Sequence, residues 1–384
     1  MVMPGFRQYR YPLHESNQFD LLVDGQQYFP AMLAAIEAAK SFILLEQYLV
    51  SSGEITHQFI QKLIEAAQRG ISIYVMLDDF GSSGFNETDR QRLHDNNIQL
   101  HLFNPFRFKQ IFNSLFRNHR KILVVDGQVA FVGGAGLADE FSEQQYGQQA
   151  WHDVMLKIRG DVVKDWCNLF CTTWEKHAKP QIEITIPESS LNVGNQSGRV
   201  LTATPLRRQE INRALIKHIR RSETCAWITS PYFVTTRKIR RVLRQAAWRG
   251  VDVRLLLPGQ YSDHPWISFA TRRHYSRLLK SGVRIFEYQP RFIHAKIELC
   301  DDWVSLGSSN LDRWNQRWNL DANQAVYDAE LAEQSRKLFE QDFSDCIEIT
   351  LAMWRQRPWL SRFRELISGQ IVVWLETIIR SRNK

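Results

Sequence analysis

The chain has 384 residues and a formal net charge of +8, and 44% of its residues are hydrophobic. This length exceeds one ordinary compact core, so we expect two domains or one large double-lobed domain. A basic chain with a pI near 9.2 is expected to meet a polyanion, either nucleic acid or an anionic membrane, and charge alone does not choose between them.

The five cysteines exclude a simple disulfide framework, because their number is odd and none of them forms a CxxC pair. We expect reduced thiols in a cytosolic compartment. Cys167 and Cys171 lie four residues apart on a predicted helix, and we interpret them as packed thiols rather than metal ligands. The first ten residues lack the apolar core of a secretory signal, and no apolar run reaches about 18 residues, so membrane contact is expected to be peripheral.

Helical and extended patterns alternate along the first half of the chain. The predicted elements are a strand and turn at 21–25, a helix at 28–39, a strand at 42–48, a helix at 59–69 and a strand at 71–77. Gly70 ends the second helix, and the strand after it is apolar almost throughout. This alternation predicts an α/β sandwich with a largely parallel sheet.

The second half repeats the pattern of the first. Its predicted elements are a helix at 211–220, a strand at 224–232, a helix at 239–249 and a strand at 251–257. Residues 66–70 (Ala-Ala-Gln-Arg-Gly) resemble residues 246–250 (Ala-Ala-Trp-Arg-Gly) at an offset of 180. A nearly constant offset is typical of an internal repeat. Residues 180–199 mix Pro, Ser, Asn and Gly and are the predicted linker.

One motif occurs in both halves, with His, Lys and Asp in the same order and spacing. The two copies are His119, Lys121, Asp126 and His294, Lys296, Asp301, offset by 175. Residues two apart on an extended strand face the same side, so each His and Lys should face one ligand. Each copy precedes an apolar strand ending in small residues, but the second is one residue shorter after its aspartate. The repeat predicts a pseudo-twofold relation with both histidines at the seam.

The paired motif, followed by Gly307-Ser308-Ser309-Asn310, resembles the phospholipase D superfamily. Segments 262–265, 278–288, 292–296 and 307–312 resemble its bacterial cardiolipin synthase branch, and the likeness spans residues 19–327. The resemblance implies an α/β fold of two tandem phospholipase D-like α/β/α sandwich repeats, related by a pseudo-twofold, with mixed, mostly parallel sheets. We assign 1–185 to the first lobe, 186–350 to the second and 351–384 to a basic amphipathic segment.

Two histidines and two lysines supply the nucleophile, acid and positive charge that metal-free phosphodiester exchange requires. The resemblance implies that His119 attacks phosphorus to form a phosphohistidine and that His294 acts as acid and base. Internal symmetry leaves the reverse assignment open. Lys121 and Lys296 are expected to hold the nonbridging oxygens. We expect no metal or other cofactor, and the chain has no Walker-type loop or GxSxG motif.

Four carboxylates and two small polar residues complete the expected site. The resemblance implies that Asp153 and Asp321 orient the imidazoles, with Asp321 standing where related synthases commonly have Glu. Asp126 and Asp301 complete the two motifs, although their position at strand ends indicates that they fix backbone rather than touch substrate. Ser308 and Asn310 belong to the Gly-Ser-x-Asn segment.

Within that segment, Asn310 is expected to contact phosphate or to fix the loop. Its counterpart in the first copy is Gly136, which has no side chain, so this role is not duplicated. The other nine histidines, among them His57, His101 and His177, have no comparable setting and are interpreted as structural.

Two further segments bear on the choice of partner. The first copy carries a ten-residue insertion around 106–112, an aromatic and basic loop that either touches lipid head groups or packs on its own lobe. From Trp354 onward, apolar residues recur at helical spacing among arginines. This pattern favours a helix lying in the interface of an anionic bilayer over a terminal helix docked on the protein.

These features give three hypotheses. The first is a membrane-associated phosphatidyltransferase that joins two phospholipids, most simply two phosphatidylglycerols, into cardiolipin with release of glycerol. The second is a hydrolase of the same superfamily, a phospholipase D or a nuclease. The third is a basic lipid- or DNA-binding protein with a relict site, which two intact motifs oppose. We expect anionic phospholipids rather than nucleic acid as partners, at the cytoplasmic side of a bacterial inner membrane, with the oligomeric state open.

Overall fold

A computed structural model of the chain describes residues 9–107, 113–179, 181–187, 193–205 and 208–357. The strands of the first half are β1 (His14–Val23), β2 (Phe42–Gln47), β3 (Ser72–Asp78), β4 (Gln99–Phe103), β5 (Arg117–Asn118), β6 (Ile122–Val125), β7 (Val129–Gly133) and β8 (Val154–Gly160). The helices of this half are α1 (Gly25–Glu37), α2 (Glu54–Gln68), α3 (Glu87–Asp95), α4 (Glu143–Tyr146) and α5 (Val162–His177).

The second half has a matching set of elements. Its strands are β9 (Gln196–Thr204), β10 (Arg208–Gln209), β11 (Cys225–Thr229), β12 (Asp252–Pro258), β13 (Arg284–Tyr288), β14 (Ile297–Cys300), β15 (Trp303–Gly307), β16 (Asn319–Tyr327) and β17 (Cys346–Glu348). Its helices are α6 (Glu210–Arg221), α7 (Arg237–Trp248), α8 (Pro265–Arg272), α9 (Tyr275–Leu279), α10 (Arg313–Trp318), α11 (Ala329–Ser344) and α12 (Leu351–Arg355).

The two halves have the same strand order, which confirms the predicted repeat. The first sheet runs β4-β3-β2-β6-β7-β8-β1. The second runs β13-β12-β11-β14-β15-β16-β9, with β17 added beside β13. Short antiparallel pairing between β1 and β9 joins the two sheets into one series.

The mixed α/β sheet is confirmed, but the expected predominance of parallel pairing is corrected. Among the described strands, parallel pairing is confined mainly to β2-β3-β4 and to β11-β12-β13. These strands are joined through helices, which parallel neighbours need as crossovers. The remaining strands of each sheet are paired antiparallel, including the hairpin that follows each motif, so antiparallel pairings outnumber parallel ones.

Helices cover both faces of each sheet. One apolar cluster lies between α1, α2 and the first sheet, and another lies between α6, α7 and the second sheet. A third cluster is shared, because buried aromatic residues of α5, such as Trp166 and Trp174, pack with strands of both halves and with α11. The Trp166 indole also donates to the Gln324 side chain of β16 at 2.9 Å. The repeats therefore share one interior rather than standing as separate units.

The two Ala-Ala-x-Arg-Gly segments perform the same structural task in each repeat. Gly70 and Gly250 end α2 and α7 with φ angles of 85° and 92°, which glycine adopts without strain. The preceding arginines cap a neighbouring helix, since Arg69 donates to the Ile36 and Glu37 carbonyls and Arg249 donates to the corresponding end of α6. Their identity in sequence reflects this repeated helix junction.

Most predicted elements are present in the structure. The observed bounds of two of them differ from the predicted bounds, for the following physical reasons. The helix expected at 59–69 begins at Glu54, because the Asp139 carboxylate accepts hydrogen bonds from the Glu54 and Ile55 amides. The strand expected at 224–232 ends at Thr229, shortly before Pro231, which cannot donate to a neighbouring strand.

The turn after each motif explains why the second copy is shorter. In the first repeat, residues 126–128 connect β6 to β7, whereas only residues 301–302 connect β14 to β15. Asp126 and Asp301 adopt left-handed backbone with φ angles of 55° and 51°, a conformation that Asp tolerates. The deleted residue therefore lies in a hairpin turn, far from the end of the strand that carries the Gly-Ser segment.

Several predicted features lie outside the described residues. These are residues 108–112 of the insertion, parts of the 180–199 linker, and residues 358–384 of the amphipathic segment. Trp354, at the start of that segment, is buried against Tyr275 of α9 with ring centroids 4.9 Å apart. Within the described residues, no helix has both the length and the apolarity to cross a bilayer. The boundaries assigned at 185 and 350 stay predictions.

We expect Asp301→Asn to lower the free energy of unfolding by about 1–3 kcal/mol, because the carboxylate binds several neighbouring groups and an amide replaces only part of that capacity. Asp301 accepts from the Glu223, Thr224 and Cys225 amides at 2.9–3.0 Å. Asn tolerates the same left-handed backbone. The control is Asp302→Asn at the exposed next position, expected within about 0.5 kcal/mol of the wild type. Equal effects in denaturant unfolding would contradict this anchoring role.

Candidate active site

Each histidine motif is attached to the opposite repeat by its backbone. The strand β5, just before His119, pairs in parallel with the first residues of β16, and the His119 amide donates to the Leu320 carbonyl at 3.0 Å. In the other repeat, Ile293 forms a parallel bridge with His152, and the His294 amide donates to the His152 carbonyl at 2.7 Å. These contacts bring both motifs to the seam between the repeats.

The carboxylate that orients each imidazole also comes from the opposite repeat. His119 Nδ1 lies 3.0 Å from Asp321 Oδ1, and His294 Nδ1 lies 2.6 Å from Asp153 Oδ2. Asp321 thus reaches its histidine although its side chain is shorter than Glu. With Nδ1–H donating to a carboxylate, the lone pair of each imidazole is on Nε2. Both imidazoles are buried, with 6% of each residue exposed.

The two lysines lie beside the imidazoles and are also buried. Lys121 Nζ donates to the His119 carbonyl at 2.8 Å, and Lys296 Nζ donates to the His294 carbonyl at 2.5 Å. Lys296 Nζ also lies 3.1 Å from Nε2 of His294. Among the described residues, neither lysine forms an ion pair with a carboxylate within 4.0 Å, so their charges remain available to an anion.

The electrostatics of the cluster favour neutral imidazoles. Burial and then Lys121 lower the pKa of His119 to about 4, and burial and then Lys296 lower the pKa of His294 to about 4. Burial lowers the pKa of Lys296 to about 8. Burial and then Lys296 lower the pKa of Lys121 well below its usual value. Each lysine acts on the other repeat's histidine, so the four groups form one cluster.

Both orienting carboxylates are ionised in this cluster. Burial acts to raise the pKa of Asp153, but Lys296 and His294 outweigh it, and the pKa is lowered. Burial acts on Asp321 in the same way and is outweighed by His119, the Ser308 hydroxyl and Lys121. Two ionised carboxylates and two buried lysines therefore lie around two neutral rings.

The Gly-Ser-x-Asn segment contributes polar side chains from the second repeat only. Ser308 Oγ donates to Asp321 Oδ1 at 2.8 Å. Asn310 is 1% exposed, and neither atom of its side-chain amide has a hydrogen-bond partner among the described residues. A Cβ on Gly136, its counterpart, would lie 2.6 Å from the Leu49 carbonyl oxygen. The first repeat therefore has no space for a second asparagine.

Asp126 and Asp301 lie at the hairpin turns and do not hydrogen-bond to either imidazole. Asp126 accepts from the Lys40, Ser41 and Phe42 amides at 2.8–2.9 Å, and Asp301 accepts the equivalent backbone bonds in the second repeat. They fix the strand that carries each motif. The structure thus brings His119, Lys121, His294, Lys296, Asp153, Asp321 and Ser308 together and leaves these two carboxylates outside, while Asn310 is buried two residues after Ser308.

The sequence did not predict an ionic cluster around His152, whose carbonyl accepts from the His294 amide. His152 Nδ1 lies 2.7 Å from Asp24 Oδ1, and its Nε2 lies 3.2 Å from Asp342 Oδ1. Arg291 forms an ion pair with the same Asp24. Burial acts to lower the pKa of His152, but Asp342 and Asp24 outweigh it and raise the pKa to about 10. A charged His152, the residue preceding Asp153, thus connects Asp24 of the first repeat to Asp342 of the second.

A second buried network positions the first motif. Asp78, at the end of β3, accepts from the Asn118 amide at 2.8 Å and pairs with Arg117 at 3.2 Å. Glu46, on β2, accepts from the Asn118 side chain and pairs with Arg120 at 3.4 Å. A sequence signal existed, since Glu46 lies within one apolar strand and Asp78 directly ends another, and a charge buried at such a position needs a partner.

Comparison with known proteins decides the family. A family model described as "Cardiolipin synthase, PLD-like domain" matches residues 32–151 and 215–343. The chain belongs to the cardiolipin synthase family. A cardiolipin synthase A from Pseudomonas putida (strain GB-1) is 33% identical over 344 residues, covering 89% of this chain and 71% of the relative. A cardiolipin synthase from Oceanobacillus iheyensis is 30% identical over 362 residues, covering 93% and 75%.

Solved structures show the same fold outside the cardiolipin synthase family. A phosphatidylserine synthase from Haemophilus influenzae Rd KW20 superposes with a TM-score of 0.73 at 15% identity, covering 96% of this chain and 95% of that chain. A polyphosphate kinase from Porphyromonas gingivalis gives a TM-score of 0.61 at 15% identity, covering 92% and 53%. At these identities the comparison establishes the fold alone.

His152 is expected to make stability depend on pH. Its pKa is raised in the folded protein, so its contribution is fully present below the unfolded value near 6.5 and is lost as pH rises through about 10. We expect the wild type to exceed His152→Gln in stability by a few kcal/mol at pH 6 and by much less above pH 10. Denaturant unfolding across this range measures the difference. A difference that stays constant with pH would contradict the ionic role.

Proposed function

We propose that the protein is a cardiolipin synthase that transfers a phosphatidyl group from one phospholipid to another through a phosphohistidine. The simplest reaction joins two phosphatidylglycerols into cardiolipin and releases glycerol. The observation that carries the proposal is the reciprocal pairing of His119 with Asp321 and of His294 with Asp153 around two buried lysines. The names of the relatives support the choice of lipid substrates.

In the first step, Nε2 of His119 attacks phosphorus, the P–N bond forms, and the P–O bond to glycerol breaks. His294 gives its Nε2 proton to the departing oxygen. In the second step, His294 takes the proton of the incoming hydroxyl, the new P–O bond forms, and the P–N bond breaks. The transfer is balanced without an added reductant, oxidant or nucleotide.

The surroundings of the two rings favour His119 as the nucleophile. Lys296 Nζ lies 3.1 Å from both ring nitrogens of His294, whereas neither lysine lies within hydrogen-bond distance of the His119 ring, and Nε2 of His119 has no hydrogen-bond partner among the described residues. A lone pair without a donor is ready to attack. His294 also packs against Phe141, Trp151 and Phe292, with ring centroids 5.3–5.8 Å away.

Lys121, Lys296 and Asn310 supply the groups that hold the phosphoryl oxygens. Buried donors of this kind stabilise the charge that develops in the transition state, each by roughly 2.7–4 kcal/mol. A bound phosphodiester adds one negative charge to a balanced cluster. It therefore raises the pKa of His294 from its low resting value, so that His294 takes up the proton it later donates.

The acceptor separates this proposal from the alternative, a phospholipase D-type hydrolase or nuclease in which water takes the phosphoryl group. Transfer requires a second lipid hydroxyl to reach the phosphohistidine.

We propose that the enzyme works as a peripheral protein on the cytoplasmic side of a bacterial inner membrane. The net charge of +8 supports association with anionic lipid.

We expect His119→Ala and His294→Ala each to lower the transfer rate by more than about 10³-fold, because one removes the nucleophile and the other the proton donor. The assay uses labelled phosphatidylglycerol and separates cardiolipin, phosphatidic acid and glycerol. The exposed His94 provides the control, since His94→Ala should retain the wild-type rate. Near-full activity in either active-site variant would contradict the mechanism, and phosphatidic acid as the main product would favour hydrolysis.

We also expect kcat/KM to fall above pH 8. Lys296, with a pKa of about 8 in the free enzyme, is charged below this pH and loses its proton above it, which weakens binding of the phosphate. A bound anion favours the charged lysine, so kcat should fall at higher pH than kcat/KM. Returning samples to pH 7 controls for inactivation. A kcat/KM that stays flat to pH 10 would contradict this role of Lys296.

A further inference from the structure

A group of arginines outside the histidine cluster surrounds a cavity in the second repeat. Four of them lie on α7 at spacings of three and four residues, which places them on one helix face. The cavity has a volume of about 240 Å³. We call it the arginine pocket, and it is lined by Arg237, Arg240, Arg241, Arg244, His274, Arg277 and Leu278.

The charge of the arginine pocket is not compensated by the part of the chain that the structure describes. Among these residues no Asp or Glu lines the pocket, and none of its five arginines forms an ion pair with a carboxylate within 4.0 Å. Arg240 donates instead to the Thr235 carbonyl, and Arg244 donates to the Ser281 hydroxyl at 2.8 Å. Burial and then the nearby arginines lower the pKa of Arg240 to about 10 and that of His274 to about 3. At neutral pH the pocket is therefore five cations around a neutral imidazole.

Such a cluster is complementary to a phosphate group. Guanidinium groups bind phosphate oxygens in a planar, bidentate geometry, and they do so best where water is partly excluded. An anion in the cavity would also reduce the repulsion among arginines that lie close together. Free phosphate and a lipid phosphate share this chemistry, and the surface around the pocket distinguishes them.

One exposed tryptophan contacts the arginines, and two more lie on α8 and α10 of the same repeat; exposed tryptophans are typical of membrane interfaces. Trp248, Trp266 and Trp314 are 63%, 51% and 44% exposed. The Arg244 guanidinium lies 4.9 Å from the centroid of the Trp248 ring. Large exposed apolar rings are unfavourable in water but suit the boundary between phosphate groups and acyl chains.

Charged residues connect the pocket to the histidine cluster. Arg313, at the start of α10, acts on Arg240 and His274 of the pocket. The adjacent Asp312 acts on Lys296. A lipid bound in the pocket would thus share a bilayer surface with a lipid at the reacting histidine.

We propose that the arginine pocket binds the phosphate group of an anionic phospholipid in the bilayer and holds the enzyme on the membrane beside its active site. This inference goes beyond the proposed reaction, because docking of a lipid here does not depend on whether a lipid or water accepts the phosphoryl group. It adds to any contribution of residues 358–384, since separate contacts with one membrane multiply in the binding constant.

The test removes three exposed charges from the pocket with the triple variant Arg237→Gln, Arg241→Gln and Arg277→Gln. None of these side chains forms a hydrogen bond within the described residues, so the fold should be kept. Each basic residue near an anionic bilayer contributes about a fivefold factor, so we expect an about 100-fold weaker partition onto vesicles containing phosphatidylglycerol. All binding measurements use the His119→Ala background to prevent turnover, and sedimentation separates bound from free protein.

A matched control removes the same net charge elsewhere, with Lys40→Gln, Lys176→Gln and Lys337→Gln, all at exposed positions. This control should lose less than about threefold, and no protein should sediment with pure phosphatidylcholine vesicles. Equal losses of vesicle binding in the two triple variants would overturn the proposal. Wild-type binding that does not depend on phosphatidylglycerol in the vesicles would also overturn it. A pocket variant that loses DNA binding but keeps vesicle binding would also overturn it.

The transfer assay separates this inference from the proposed function. With His119 intact, the pocket variant should keep its rate within about threefold on detergent-dispersed phosphatidylglycerol, where docking on a bilayer is not needed. Loss of that rate with unchanged vesicle binding would overturn the docking role. The His119→Ala protein should bind vesicles as tightly as the wild type, even though it transfers nothing.

Discussion

The active site depends on a reciprocal crossing of the two repeats. The backbone before His119 pairs with the start of β16, and the backbone before His294 pairs with the residues before Asp153. Each crossing brings an imidazole to a carboxylate of the other repeat. A single repeat therefore cannot orient its own histidine, and the shared apolar cluster between the sheets supports a site that exists only when both halves are folded together.

Burial gives the cluster its chemical properties. Charged groups taken out of water are stable only when they are paired, and here two carboxylates balance two lysines while the imidazoles remain neutral. In the proposed reaction, a phosphodiester would pair with the lysines and allow one ring to take up a proton. The electrostatics would thus couple substrate binding to the protonation state that the departing alcohol requires.

The sequence was sufficient to predict the repeat, most elements and the identity of the residues at the seam. Motif spacing carries this information, because His119 and Lys121 must share a face of an extended backbone. The sequence could not predict that Asp321 hydrogen-bonds to His119 and that Asp153 hydrogen-bonds to His294, because chain order does not specify contacts between repeats. His152 was missed for the same reason: its partners Asp24 and Asp342 are 128 and 190 residues away.

Although the exchange of partners is reciprocal, the surroundings of the two histidines are unequal. Ser308 and Asn310 of the second repeat correspond to glycines in the first repeat. The charged His152 lies next to Asp153, the partner of His294, and not next to Asp321. The two imidazoles therefore have different surroundings within a symmetric architecture. We propose that the covalent step belongs to His119, whose Nε2 has no hydrogen-bond partner among the described residues. The most direct test is to quench a reaction with phosphatidylglycerol under alkaline conditions, which preserve phosphohistidine, and to locate the adduct by peptide mass spectrometry. A phosphatidyl group on His119 is the predicted result, and an adduct on another residue, or on none while cardiolipin accumulates, would contradict it.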